Sequence, residues 1–448
     1  MQPKLYNSRS FIFRLLTSLT RVEKMTMAIL FLVVLLSTSA LGYRYWIKKT
    51  TQQPVSGGTY TEGIVASSLA DIQSTLDVLT NIGFVRYGQE NQFEPAAAKS
   101  WEVSDDGKTY IFQMDTAIDK STTQAALDRN KETFKDIDIE VTDDQRVIFN
   151  LKQSFTPFLA TTAIPIFPLG PYEITEQERG IVRLRPRSNA FASTPYLQEL
   201  ILRIYADTFN LTRALSVGDI QGVADISMIE NEHLLEPLKV FQIEVPRKIY
   251  LFFNTEKDEL KKEAVRKNLK DGTALAQTLE IKLVTLANPK NERIAQEIVE
   301  RWQPLGVRVI VETHTATELA KDVVPNRNYD ALIYGLDFGG DPDPYPFWHS
   351  SQISPTGLNL SNFANIDADR ILEKARQTVE VSEREKLYDQ FDEIFERLVP
   401  AIELEQVSVS FAVDKGIQGA KSQPGLSVAD RFSNIAEWYR KSRRKPVE

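Results

Sequence analysis

Two short runs in which apolar and polar residues alternate, Trp101/Val103 and Tyr110/Phe112/Met114, flank Asp105-Asp106-Gly107-Lys108. Alternation at period two predicts half-buried strands, and Asp-Gly between them predicts a tight hairpin, because glycine takes positive φ at no steric cost. The pattern recurs at Ile137/Ile139/Val141 and Val147/Phe149/Leu151 on either side of Thr142 to Arg146, so a second strand pair is expected. Between the two hairpins, Ala125 to Lys135 reads as a helix. From Leu279 the period lengthens. Strand Ile281 to Leu286 leads into helix Lys290 to Gln303, whose apolar stripe is Ile294, Ile298 and Trp302. Strand Val307 to Val311, a short helix at Thr317 to Val323 and strand Asp330 to Tyr334 follow. Such alternation of strand and helix predicts parallel pairing. Two amphipathic helices come next. The second is expected to bury Leu387, Phe391 and Ile394 and to begin in a capping box of Ser382 and Glu385. Ala401 to Glu405 and Ser408 to Val413 then read as strands returning to the first half.

At 448 residues the chain exceeds one ordinary hydrophobic core, so two lobes are expected. The absence of cysteine excludes disulfides, thiolate metal sites and thiol nucleophiles. Charge is uneven. Residues 1–50 carry eight basic side chains (Lys4, Arg9, Arg14, Arg21, Lys24, Arg44, Lys48 and Lys49) against Glu23, a net of +7. The whole chain is −8, which leaves −15 for the remainder. An acidic body with a basic end argues against nucleic acid and for a membrane-proximal N-terminus. Met25 to Tyr43 is nineteen residues without a charge, long enough to cross a hydrocarbon core of roughly 30 Å. Two readings stand: a retained anchor, or a cleaved signal peptide with Thr38-Ser39-Ala40 as a poor cleavage site. The length of the run and the aromatic belt of Tyr43, Tyr45 and Trp46 favour the anchor. Basic residues flank both ends, so charge does not set its orientation.

Catalysis finds little support. The three histidines, His233, His314 and His349, stand far apart without a nucleophile nearby and read as surface or loop residues. No glycine-rich phosphate loop occurs in the context it requires. No enzyme activity, metal site or cofactor is expected.

Glu94 to Ala98 and Lys99 to Met114 together resemble, nearly residue for residue, a signature of the peptide-type solute-binding proteins of ABC importers (family 5, oligopeptide- and dipeptide-like). Further motifs follow in that family's order: Gly58-Thr59-Tyr60-Thr61-Glu62-Gly63, Gly170-Pro171-Tyr172, Pro195 to Ile204, the helix Thr208 to Val217 with Gly218-Asp219, and Tyr250 to Thr255. Two departures are marked. Pro168-Leu169 replaces the family's Gly-Thr after a shortened segment, and Lys270 to Thr278 replaces several tens of residues. The resemblance implies an α/β, two-lobe fold of the periplasmic-binding-protein kind (type II, Venus-flytrap) with an N-terminal transmembrane helix. Its expected layout is a basic cytoplasmic segment (1–24), the span (25–47) and a polar linker (48–57). Lobe 1 then comprises 58–253 with 403–442, including a hairpin subdomain at about 96–168, and lobe 2 comprises 254–402.

The resemblance also places the solute at Gly335 to Trp348, directly after a strand, where ligands of open α/β sheets sit. There Asp337, Phe338, Gly339, Asp341, Tyr345 and Trp348 are the candidate ligand-binding residues. In peptide binders an aspartate of this segment pairs with the ligand's α-ammonium group, and Asp337 is the nearest match. The other reading of Asp337, Asp341 and Asp343 is turn formation or capping. The implied partners are a peptide or other small solute and the permease subunits of an ABC importer. A monomer on the extracytoplasmic face of the membrane is expected. Alternatives are the same fold holding a sugar or metal chelate, and a surface sensor or scaffold that binds no solute. An intact charged cleft would favour transport and a cleft filled by apolar side chains the scaffold.

Overall fold

The computed structural model describes residues 20–88, 92–188, 191, 194–227, 229 and 231–446. Most of the expected basic N-terminal segment therefore lies outside the described residues. The apolar run forms a helix, Arg21–Lys49, opened by a capping box of Thr20 and Glu23. Its 29 residues reach about 44 Å at 1.5 Å per residue, and none is buried. Where a polar linker is expected, the chain instead forms a strand, Thr50–Val55, paired antiparallel with Lys441–Pro446. Nothing in TTQQPV alternates, and its partner stands at the other end of the chain.

Ten strands form one mixed sheet. In chain order they are β1 (Thr59–Val65), β2 (Tyr172–Glu178), β3 (Ile181–Pro186), β4 (Glu199–Tyr205), β5 (Gly222–Val223), β6 (Leu238–Phe253), β7 (Leu279–Leu286), β8 (Val307–His314), β9 (Ala331–Asp337) and β10 (Ala401–Asp414). Across the sheet the order is β8-β7-β9-β6-β10-β5-β1-β4-β3-β2. As the strand–helix–strand alternation requires, β7 pairs parallel with both β8 and β9. The long strands β6 and β10 are antiparallel neighbours and run through both halves of the molecule. Sequence alternation marks only the apolar end of β6, which in fact begins twelve residues earlier, and β10 is one continuous strand.

Burial explains the division. Tyr60, Tyr172, Leu200, Phe411 and Trp438 fill a core of the first lobe. In β6, Ile249, Leu251 and Phe253 point to one face of the second lobe, where Trp302 packs, and Tyr250 and Phe252 point to the other, against Trp348. Alternate residues of a strand covered on both faces divide in this way. Residues 249–253 thus pack into these two cores. The ladder between β6 and β10 shifts register between Glu244 and Lys248, and again between Ile249 and Tyr250. The Gln406 amide bridges the first irregularity, donating to the carbonyls of Val245 (2.6 Å) and Arg247 (3.2 Å). Such irregularities bend and twist a strand, and they mark the seam between the two sets of cores.

The hairpin subdomain is a separate four-stranded sheet built on an aromatic core of Phe84, Phe112, Phe149, Phe158 and Phe167. Its first hairpin, Ala98–Val103 with Thr109–Met114, turns through Gly107 at φ +64°. Two local expectations are corrected. The helix between the hairpins is Lys120–Arg129, started earlier by the side chain of Asp119, which accepts from Thr122 N–H at 2.7 Å. Helix Val381–Leu398 begins without the expected capping box, because Glu380 occupies the cap and the Ser382 hydroxyl donates to its carboxylate at 3.1 Å.

Candidate functional site

A cleft of about 660 Å³ opens at the seam. Its floor is the irregular stretch of β6 and β10: Glu244, Val245, Pro246, Lys248 and Tyr250, with Ala401, Ile402, Glu403 and Gln406. One wall is the face of helix Val381–Leu398 that carries Tyr388, Phe391, Asp392, Phe395 and Glu396. The loop after β9 supplies Phe338, Gly339, Gly340, Pro342 and Pro344, and the short helix Tyr345–Trp348 supplies Trp348. Tyr87, Pro424 and Gly425 close it from the first lobe.

Both lysines of the cleft are already partnered. Lys248 Nζ stands 2.8 Å from Glu403 Oε2, which also accepts from the Tyr250 hydroxyl at 3.4 Å. Lys270 pairs with Glu396. The carboxylates of Asp392 and Glu244, by contrast, make no hydrogen bond or ion pair among the described residues. Burial, and next the neighbouring charge of Asp389, raise the Asp392 carboxyl above the usual carboxylate range, while Lys248 opposes the shift. The cleft therefore offers two free carboxylates beside an aromatic wall in which Trp348 meets Tyr250 edge-on at 5.8 Å and Phe395 at 4.6 Å.

Of the six sequence candidates, Phe338, Gly339 and Trp348 line this cleft, while Asp337, Asp341 and Tyr345 do not. Asp337 ends β9, where its Oδ2 accepts from Arg247 Nη2 at 2.9 Å and its Oδ1 from Gly339 N–H at 3.0 Å. The turn reading describes that geometry. Asp343 is buried against Arg376 (2.6 Å), whose guanidinium also lies 3.8 Å from the Tyr345 ring centroid. Tyr345 in turn stacks on His349 at 4.1 Å. His349 lies in the bend after the short helix Tyr345–Trp348, a loop position as expected, and is buried there. Asp341 leaves its Oδ1 buried without a partner, as Tyr388 does its hydroxyl. Burial raises the Asp341 carboxyl, Asp343 adds to the shift, and Arg384 opposes it. Loop and hairpin subdomain meet here: Thr156 N–H donates to Arg376 O at 3.2 Å, and the Arg376 guanidinium faces the Phe155 ring at 5.3 Å. The sequence reading missed Asp392, Glu244, Tyr250 and Tyr388. The stripe Leu387, Phe391, Ile394 located the helix that carries Tyr388 and Asp392, yet that this side of it meets Glu244 and Tyr250 of β6 depends on packing between segments far apart in sequence.

No family model matches the chain. The oligopeptide-binding protein AppA of Bacillus subtilis is 27% identical over 176 residues, covering 38% of this chain but only 30% of that protein. The probable D,D-dipeptide-binding periplasmic protein DdpA of Escherichia coli is 23% identical over 438 residues, covering 76% and 84% respectively. Among solved structures, HbpA2 from Haemophilus parasuis superposes with a TM-score of 0.71 at 20% identity, over 81% of this chain and 96% of that one. NikZ from Campylobacter jejuni, in complex with Ni(L-His), gives 0.64 at 17% identity, over 85% and 99%. The fold is that of the periplasmic substrate-binding proteins, of mixed α/β content.

Proposed function

We propose that this chain, a relative of the oligopeptide- and dipeptide-binding proteins of ABC importers, captures a peptide or similar small solute in the cleft between its lobes. Tethered through helix Arg21–Lys49, it presents that solute to a permease from the extracytoplasmic side of the membrane. The cleft carries this reading. It is open and charged, its volume lies within the roughly 300–1,000 Å³ of small-molecule sites, and its walls come from both lobes. A cleft of that kind favours transport over the scaffold alternative.

Closure by rotation about the seam fits the register shifts that concentrate in β6 and β10. A solute that touches both lobes selects the closed form, and a preference of about 5.5 kcal/mol would move occupancy from 1:99 to 99:1. Phe338, Gly339 and Trp348 form the contact wall, and Asp337 and Tyr345 brace the segment that carries them. The two unpartnered carboxylates, Asp392 and Glu244, suit a cationic group such as a free amino terminus, with aromatic faces beside it. A non-peptide solute is the second reading, favoured by the breadth of ligands on this fold, Ni(L-His) in NikZ among them.

Native mass spectrometry of the full chain in detergent should reveal a co-purifying solute, or a peptide pool should raise the melting temperature. Failure of both would remove the importer role. Asp392→Asn should weaken an amine-bearing peptide by roughly ten- to a hundredfold, the scale of a charged hydrogen bond, and leave its N-acetylated form unchanged. The cation needs the ionised carboxylate, so affinity should fall with acidification at a higher pH than an ordinary aspartate would dictate.

A further inference from the structure

The helix ends in Lys48 and Lys49, and the very next residues, Thr50–Val55, pair along their whole length with Lys441–Pro446. Both ends of the described chain therefore converge on one two-stranded ribbon outside the main sheet. That ribbon carries Lys441, Arg443, Arg444 and Lys445, with Arg440 just before it, and no carboxylate stands on either strand. Apart from Arg444 these cations are exposed, and none of them, nor Lys48 or Lys49, makes an ion pair among the described residues. Arg444 turns back instead. Its Nη1 donates to Thr50 O at 3.2 Å, and its guanidinium lies 5.2 Å from the Trp46 ring centroid.

Along the molecule the order is an exposed apolar helix, then the aromatic turn of Tyr43, Tyr45 and Trp46, then the basic ribbon, then the acidic body. Hydrocarbon, interface and headgroups follow one another in the same order across a leaflet. Cations kept only for solubility would be interspersed with acids, as they are on the surface of the body.

We propose that the ribbon docks on anionic lipid headgroups and so holds the body, and the mouth of its cleft, at a set height and tilt above the bilayer. This rests on the reading of Arg21–Lys49 as a membrane span. Attraction of this kind falls off within a Debye length, about 8 Å at physiological salt, so only cations on the ribbon itself would contribute fully.

Native mass spectrometry of the full chain, released from micelles doped with phosphatidylglycerol, phosphatidylcholine or inorganic phosphate, tests the proposal. Phosphatidylglycerol should be retained and the other two lost. The combined variant K441Q/R443Q/K445Q should lower phosphatidylglycerol affinity about a hundredfold at low salt, at roughly fivefold per cation. K441R/K445R should keep it, and an unchanged melting temperature in both variants would show that the ribbon still forms. Equal retention of the two lipids, retention of free phosphate, or an indifferent triple variant would overturn the proposal. Alkaline carbonate extraction of membranes separates the premise from the inference: release of the chain refutes the span and the docking with it, whereas an embedded chain without lipid preference refutes the docking alone.

Discussion

Glu62 and Arg431 stand 369 positions apart and meet with no exposed side-chain surface on either, at 2.6 Å. The pair is fully satisfied: Tyr60 donates its hydroxyl to Glu62 at 2.8 Å, and Arg431 also donates to Val428 O at 2.6 Å. Removing one partner strands a buried charge, so Arg431→Leu should cost about 3–5 kcal/mol in denaturant melts. Adding Glu62→Gln to Arg431→Leu neutralises the stranded carboxylate, so the double variant E62Q/R431L should lose less than R431L does by itself. Asp341 supplies a pH test at the same scale. Its folded-state pKa is raised, so protonation favours the folded form, and the benefit is lost as pH rises above the ordinary aspartate value of about 3.9. Asp341→Asn should therefore raise the melting temperature by a degree or more at pH 7.5 and have little effect at pH 4. Among cleft residues, Phe338, Gly339 and Trp348 were legible because the loop's motif announces itself locally. Asp392 and the Glu62–Arg431 pair were not, since what distinguishes them is a distant partner, or the lack of one.

The elements that short-range pattern revealed are those whose partners are near in sequence. Both hairpins of the small subdomain and the strands and helices after Leu279 are of this kind. The ribbon at Thr50–Val55 and the first half of β6 escaped for the opposite reason: one pairs with the far end of the chain, and the other contains Pro246 at its irregularity. That irregularity is open to test. Gln406→Ala deprives the carbonyls of Val245 and Arg247 of their donor, a loss of about 1 kcal/mol. Hydrogen exchange should then quicken several-fold at the amides near 245–248, while the amides of β1 and β4 keep their protection. Gly170 stands where only a glycine fits. A Cβ there would crowd the backbone of Thr80 and sit 2.6 Å from Asn81 N. Gly170→Ala should thus cost about 1–3 kcal/mol, measurable by thermal melting.

The whole molecule, a mixed α/β fold like that of the periplasmic substrate-binding proteins, is what the ordered set of motifs implied, although none of them shows how distant segments touch. Contact between the hairpin subdomain and the second lobe runs through Arg376, which binds Asp343 and faces Phe155 and Tyr345. Arg376→Ala should loosen the contact between the hairpin subdomain and the second lobe and enlarge the radius of gyration in small-angle scattering, and bound solute should restore part of the difference. The buried pair described above also has a consequence in time. Glu62 emerges from the ribosome early, yet its counter-charge is made 369 residues later. At 5–20 residues per second that is a wait of roughly 20–70 s. For most of that interval the first lobe waits for its last strand and for Arg431, and the second lobe, whose cores draw on residues as late as Ala401, is finished only shortly before it, so whatever escorts the nascent protein must shelter the older half longest.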